Sequence, residues 1–250
     1  MRWATLLAVL VLTACASQPA SRSDASGRGT ASARVHTELA ALYYERGQFG
    51  VALEEIDLAL NGYAEYAPAF TMRALIRMAL REDAEAESDF VRSLKLDPAS
   101  SEAHNNYGWF LCQRGREKES LVEFTAALKN PLYQTPEKAL VNAGICARRM
   151  GDGKSAEDFL QRALMASPRS PEALVALAEL NFEKGDWAGA KSYFMKYEQT
   201  VPDALSAANL WLAVRIERKL GRNGASEEYA QRLRRLYPDA RETQLMLYGR

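Results

Sequence analysis

From Ser101 the chain lays down two helical patterns in succession. The first stretch, Asn105-Asn106-Tyr107-Gly108-Trp109-Phe110-Leu111-Cys112, is dense in aromatic and apolar side chains, and Gln113-Arg114-Gly115 closes it. A second, amphipathic stretch follows as Ser120-Leu121-Val122-Glu123-Phe124-Thr125-Ala126-Ala127-Leu128. Apolar residues three and four apart mark one face of a helix, and a glycine just past the last of them supplies its left-handed cap. The pattern predicts two helices joined by a tight turn, and most of the chain copies that unit.

The copies are read from two landmarks that keep the same register. Gly47, Arg81, Gly115, Gly151, Gly185 and Gly221 occupy the turn at spacings of 34, 34, 36, 34 and 36 residues. A small residue, Ala52, Ala86, Ser120, Ala156, Ala190 or Ser226, opens the second helix five positions later. This resembles the tetratricopeptide unit, 34 residues with a small residue in each helix flanked by large ones. Small residues let the helix backbones approach, and Pro98, Pro168, Pro202 and Pro238 stop the second helices because proline cannot continue them. The predicted fold is all-α, a right-handed superhelical solenoid of six repeats at 33–66, 67–100, 101–134, 137–170, 171–204 and 207–240. Two extra residues precede the fourth and sixth repeats. Glu217 and Ala230 stand at normally bulky slots of the sixth, which suits a terminal cap facing water, and the 241–250 tail is expected to cover that end as a last helix.

The front of the chain follows a different pattern. After Met1-Arg2-Trp3 comes a small and apolar run from Ala4 to Leu12, too short to span a bilayer and laid out as a secretory signal. Leu12-Thr13-Ala14-Cys15 resembles a bacterial lipobox. That implies a signal peptide at 1–14, lipid attachment at Cys15, and, with Ala16 next, sorting to the outer membrane. Residues 16–32 carry no aromatic or large aliphatic side chain, so they are expected to stay unfolded as a tether. A flexible tether of that length reaches about 20–25 Å.

Lys plus Arg and Asp plus Glu each total 32, which leaves no charge field to recruit nucleic acid. No nucleotide-binding, metalloprotease or nucleophile-elbow motif occurs, so the expectation is a non-enzyme that uses no cofactor, metal or small-molecule substrate. His36 and His104 fall in the same large-residue slot of two repeats and read as packing residues. An exported chain meets an oxidising compartment, where Cys112 and Cys146 could pair. They occupy different slots of adjacent first helices, however, and the expectation is two buried free thiols.

First-helix residues that the packing pattern does not demand are candidates for a concave groove. They read Tyr44 in the first repeat, Leu75 and Met78 in the second, Asn105, Trp109 and Cys112 in the third, and Val141 and Ile145 in the fourth. Arg148 completes the fourth; the fifth reads Val175, Glu179 and Phe182 and the sixth Trp211, Arg215 and Arg218, so that repeats one to four present an apolar floor and repeats five and six turn charged. Apolar residues at this spacing are ordinarily core, and neighbouring repeats could bury part of them. The competing reading is a hydrophobic groove of Tyr44, Leu75, Met78, Trp109 and Ile145, rimmed by Asn105, Asn106 and Asn142, for an extended or helical segment of another protein.

The lipobox, the tether, the six repeats and the string His104-Asn105-Asn106-Tyr107-Gly108-Trp109-Phe110-Leu111-Cys112 together resemble the PilF/PilW-type lipoproteins of type IV pilus biogenesis. The resemblance implies a pilotin: a lipoprotein on the periplasmic face of the outer membrane that binds the pilus secretin subunit and promotes its localisation and multimerisation. Two other readings stay open. One is a tetratricopeptide lipoprotein serving another outer-membrane machine. The other is an enzyme, which would need ionisable residues converging in a cleft.

Overall fold

In the computed structural model the described residues are 22–201 and 205–248; Cys15, the apolar run before it and Pro202 lie outside them. Every regular element among the described residues is an α-helix. The chain divides after Tyr66 into two compact units. The first contains the hairpin α1 (Arg22–Glu45) and α2 (Phe49–Gly62). The second contains α3 (Ala67–Leu80), α4 (Asp83–Leu96), α5 (Ser101–Gln113), α6 (Glu117–Ala127), α7 (Pro136–Arg149), α8 (Gly153–Ala166), α9 (Pro171–Glu183), α10 (Trp187–Thr200), α11 (Ala207–Lys219), α12 (Asn223–Leu236) and α13 (Arg241–Tyr248). In the second unit each odd-numbered helix through α11 packs on its even partner, and α3, α5, α7, α9 and α11 also touch one another in succession.

All six turns use one device. Gly47, Gly115, Gly151, Gly185 and Gly221 have φ between 71° and 81°, and Arg81 adopts 66° in their company. The next residue then donates its N–H back to a carbonyl five positions earlier, as in Gln48 to Tyr43 at 2.9 Å and Asp152 to Ala147 at 2.9 Å. This bond satisfies an otherwise orphaned carbonyl at the end of the first helix. Side-chain caps start several helices: Ser100 accepts from the Ala103 N–H, Asp152 from Ser155, Ser170 from Ala173, Asp186 from Gly189 and Ser206 from Asn209.

The packing landmarks fall where the periodicity puts them. Ala52, Ala86, Ser120, Ala156, Ala190 and Ser226 are all buried, as are Ile56, Phe90, Phe124, Leu160, Phe194 and Ala230 four positions on. How close the helices come is visible at Gly108, where a Cβ would lie 2.8 Å from the Phe124 ring, and at Gly144, where it would lie 2.6 Å from Leu160.

Three expectations are corrected. Residues 22–32 are helical, because α1 starts at Arg22 and not at the first repeat's nominal Ala33. Small residues pack there in place of large ones: a Cβ on Gly29 would sit 2.6 Å from the Gly62 carbonyl oxygen, and Ala33 is fully buried. Second, Cys112 and Cys146 form a disulfide with Cα atoms 5.9 Å apart. Equivalent slots on adjacent parallel helices point the same way, so a bridge requires different slots, and the two-residue insertion before α7 provides them. Third, Glu217 does not face water. It is 5% exposed and ion-paired to Lys191 Nζ of α10 at 2.7 Å, in a recess that α10 and α12 line.

Candidate functional site

Tyr44, on the last turn of α1, belongs to the first unit. Its half-buried ring packs on Phe49 across the Gly47 turn, with centroids 5.7 Å apart.

In the second unit Leu75 and Met78 are half-buried and lean on a cluster of Ala74, Ala86, Phe90, Phe110 and Leu111. Trp109 leans on Cys112, Phe124, Ala143 and Cys146, with the Arg149 guanidinium 5.8 Å from its ring centre. Ile145 packs beside Leu177 and Leu180 on one side and Leu140 and Val141 on the other. None of these residues is sealed inside, and each gives one edge to the core and keeps another at the surface. Cys112, Val141 and Phe182, placed in the same groove by register, are 1%, 5% and 8% exposed and belong to the core instead. The apolar floor is therefore narrower than the slot pattern implies, because adjacent first helices bury the side chains between them.

The polar rim converges more closely. Asn142 Nδ2 donates to Asn105 Oδ1 at 3.0 Å, and both residues line a cavity of about 530 Å³ together with Asn106. Glu137, Lys138 and Val141 of α7 complete one wall, and Ser167, Arg169, Ser170, Pro171 and Glu172 at the α8–α9 connection complete the other. Sequence reasoning missed that second wall. Its signal was weak, because Arg169 and Ser170 sit in a connection whose helical register says nothing about direction.

A second cavity of about 340 Å³ lies where the later repeats turn charged. Arg148, Glu179, Phe182, Glu183, Trp211 and Arg215 line it, and α13 adds Arg241, Glu242 and Leu245. Arg148 bridges Glu179 and Glu183 at 2.6 Å each, and the Arg215 guanidinium lies 4.2 Å from the Phe182 ring centre. Burial pushes the Glu179 carboxyl above the usual carboxylate range, with Arg148 pulling the other way.

The two histidines are interhelical hydrogen-bonding residues. His36 Nδ1 meets Glu55 Oε2 at 2.7 Å, and His104 Nδ1 meets Glu123 Oε2 at 2.6 Å, each pair nineteen residues apart. The hydrogen bond to Glu123 holds the His104 pKa above its ordinary value, against burial. Among the described residues no cluster of His, Cys, Asp and Glu could hold a metal ion, and no helix is long and apolar enough to cross a membrane.

Stacked helical hairpins with left-handed turns, small residues at each helix crossing and a side-chain-lined inner face define a tetratricopeptide repeat protein. Two tetratricopeptide repeat family profiles match, over residues 71–136 and 147–210. The structure of PilW, described as a widely conserved type IV pilus biogenesis factor, superposes with a TM-score of 0.80 at 36% identity, covering 86% of this chain and 98% of that one. The type IV pilus assembly protein PilF of Pseudomonas aeruginosa is 24% identical over 234 residues, 93% of this chain and 92% of that protein. A structure of Pseudomonas aeruginosa PilF matches with a TM-score of 0.79 at 22% identity over 89% of this chain and 99% of that one. The chain belongs to the PilF/PilW family of tetratricopeptide proteins.

Proposed function

We propose that this chain is a pilotin of type IV pilus biogenesis, a lipoprotein held by Cys15 on the periplasmic face of the outer membrane, where it binds the pilus secretin subunit and promotes its multimerisation. The observation that carries this reading is the likeness to PilW, 36% identical across 98% of that chain. The lipid anchor rests on the lipobox Leu12-Thr13-Ala14-Cys15. The role needs no catalysed step. The chain acts as a scaffold, with Leu75, Met78, Asn105, Asn106, Trp109, Asn142 and Ile145 of the second unit and Tyr44 of the first offered to the secretin.

Anchoring and binding work together. A myristoyl-sized chain alone anchors only marginally, and additional acyl chains make the attachment firm, each buried CH₂ contributing about 0.8 kcal/mol. A secretin segment held by an anchored chain is confined near the membrane it must enter, which raises its effective concentration there. The test is Cys15→Ala in cells that make the secretin. The variant is expected to fold, to fractionate as soluble protein, and to leave the secretin as monomers outside the outer membrane. Normal secretin multimers in that strain would overturn the delivery role.

A further inference from the structure

We infer that the first hairpin rests one flank on the lipid surface, with Val35 and Leu42 of α1 and Val51 and Leu58 of α2 entering the apolar edge of the bilayer beside the anchor. The inference rests on the reading above for the lipid at Cys15, and it uses none of the side chains offered there to the secretin. Its basis is a comparison of equivalent slots. Val35 and Leu42 correspond to Ala103 and Phe110 in the third repeat, Ala139 and Cys146 in the fourth, and Ala173 and Leu180 in the fifth. Those six are 2% exposed or less, because the preceding hairpin covers them: Phe110 packs among Ala74, Ala86 and Phe90, and Leu180 among Ala147, Ala156 and Leu160. Among the described residues no hairpin precedes α1, and Val35 and Leu42 are 48% and 50% exposed. A terminal repeat ordinarily turns a polar face to water at such a place, yet this one keeps aliphatic side chains.

A second stripe, on α2, decides the occupant. Val51, Glu55 and Leu58 are spaced four and three apart and share one side of that helix. Glu55 bonds His36, the neighbour of Val35 on α1, so the two stripes meet on one flank. Val51 and Leu58 are 38% and 49% exposed. Their equivalents are Glu119 and Ala126, Ser155 and Arg162, and Gly189 and Lys196, and these stay at the surface although a hairpin precedes each of them. A hairpin packed like a repeat, from a second copy or another protein, thus covers the α1 stripe and misses the α2 stripe. Covering both takes a broad, flat apolar phase. The anchor brings one within reach: Cys15 and Arg22 are seven residues apart, so the chain between them spans at most about 25 Å whatever its path. Arg34 and Glu38, bordering the α1 stripe, are paired at 4.0 Å and supply no excess charge for anionic headgroups. The contact is apolar and small. A whole myristoyl chain anchors a protein only marginally, so these side chains act once the anchor has confined the hairpin to the surface, and they then fix its orientation there.

The experiment supplies the anchor chemically. The chain from Cys15 onward is coupled through that thiol to maleimide-bearing lipid in phosphatidylcholine vesicles, the other two cysteines being joined to each other. Leu42→Trp and Leu58→Trp, made singly at exposed slots, report on the flank, and Val122→Trp on α6, at a side chain 66% exposed, reports on surface away from it. Emission added by each tryptophan over wild type is read with and without bromine on the lipid acyl chains. The reporters at 42 and 58 are expected to lose most of their added emission to the brominated lipid, and the one at 122 to keep it. Leu42→Asp combined with the 58 reporter should restore the emission while leaving the melting temperature in place. Unquenched reporters at 42 and 58, or equal quenching at all three positions, would overturn the inference. So would emission at 42 that shifts with the density of coupled chains on unbrominated vesicles, which would assign the flank to a second copy. Absent quenching beside normal secretin assembly in cells removes this inference and keeps the pilotin role. Quenching in a chain that cells do not lipidate keeps the flank's affinity for lipid and removes the anchor.

Discussion

At the scale of single residues, each hairpin turn hangs on one residue with positive φ. Gly47 and its four glycine equivalents are dictated by a left-handed backbone that other residues enter only at a cost, and Arg81 accepts that cost in the same place. His104 was legible as an occupant of a large-residue slot. Its partner Glu123 was not, because hydrogen-bonding across a hairpin depends on where two half-buried side chains end and not on helical period. The pairing has a pH consequence. The folded-state pKa of His104 lies above its unfolded value, with Glu123 the largest cause, the Pro98 carbonyl helping and Lys129 opposing. The bond therefore stabilises fully below the unfolded pKa of about 6.5 and is lost as pH rises through the folded pKa. Denaturant titrations of the wild type and Glu123→Gln should show a stability gap that is widest in mild acid and closes toward pH 8. A gap independent of pH would show that the pair does not titrate as a unit.

At the scale of elements, helix number, order and ends were readable for α2 to α12, because two landmarks per repeat set the register. The start of α1 was not. A segment without large side chains looks unable to bury enough surface to fold, yet Gly29 and Ala33 pack by close approach, which composition does not report. The link between α5 and α7 was lost for a related reason, since a slot pattern describes one helix at a time and a bridge is a relation between two. That disulfide joins cysteines 34 residues apart and is buttressed by the Ser120 hydroxyl, which donates to Cys146 Sγ at 3.1 Å. Closing a loop of this length removes freedom from the unfolded chain and contributes about 4 kcal/mol in the chain-entropy picture. The Cys112→Ser, Cys146→Ser double variant should lower the denaturant midpoint by a corresponding amount while remaining helical by circular dichroism. Identical midpoints for oxidised wild type and variant would show that the bridge does not stabilise the fold.

At the scale of the whole molecule, the architecture followed from repetition alone, while the candidate site was legible only in part. The three asparagines were identified in advance and the structure gathers them at one cavity, but the floor beside them is narrower than expected because first helices bury one another's flanks. The two compact units also differ in what holds them. In the first hairpin the fully buried core residues among those described are Ala33, Ala40, Ala52, Ala59 and Ile56, so Ile56 is the single large one among them. The second unit buries Phe90, Phe110, Phe124, Leu160, Leu177, Leu210 and Leu233 to the same degree or nearly so. Each fully buried Leu or Phe contributes about 1.5–3 kcal/mol of transfer free energy. Stability in a solenoid is the sum of such local contributions and not a single global quantity. The α1–α2 hairpin is therefore expected to open well below the free energy that unfolds α5 to α10. Native-state hydrogen exchange at rising denaturant measures this directly: amides of α1 and α2 should exchange through a small opening before the global transition, and those of α7 and α9 only through it. Exchange of both sets along one common curve would mean that the repeats unfold together and that the alanine-lined hairpin is as strongly held as the rest.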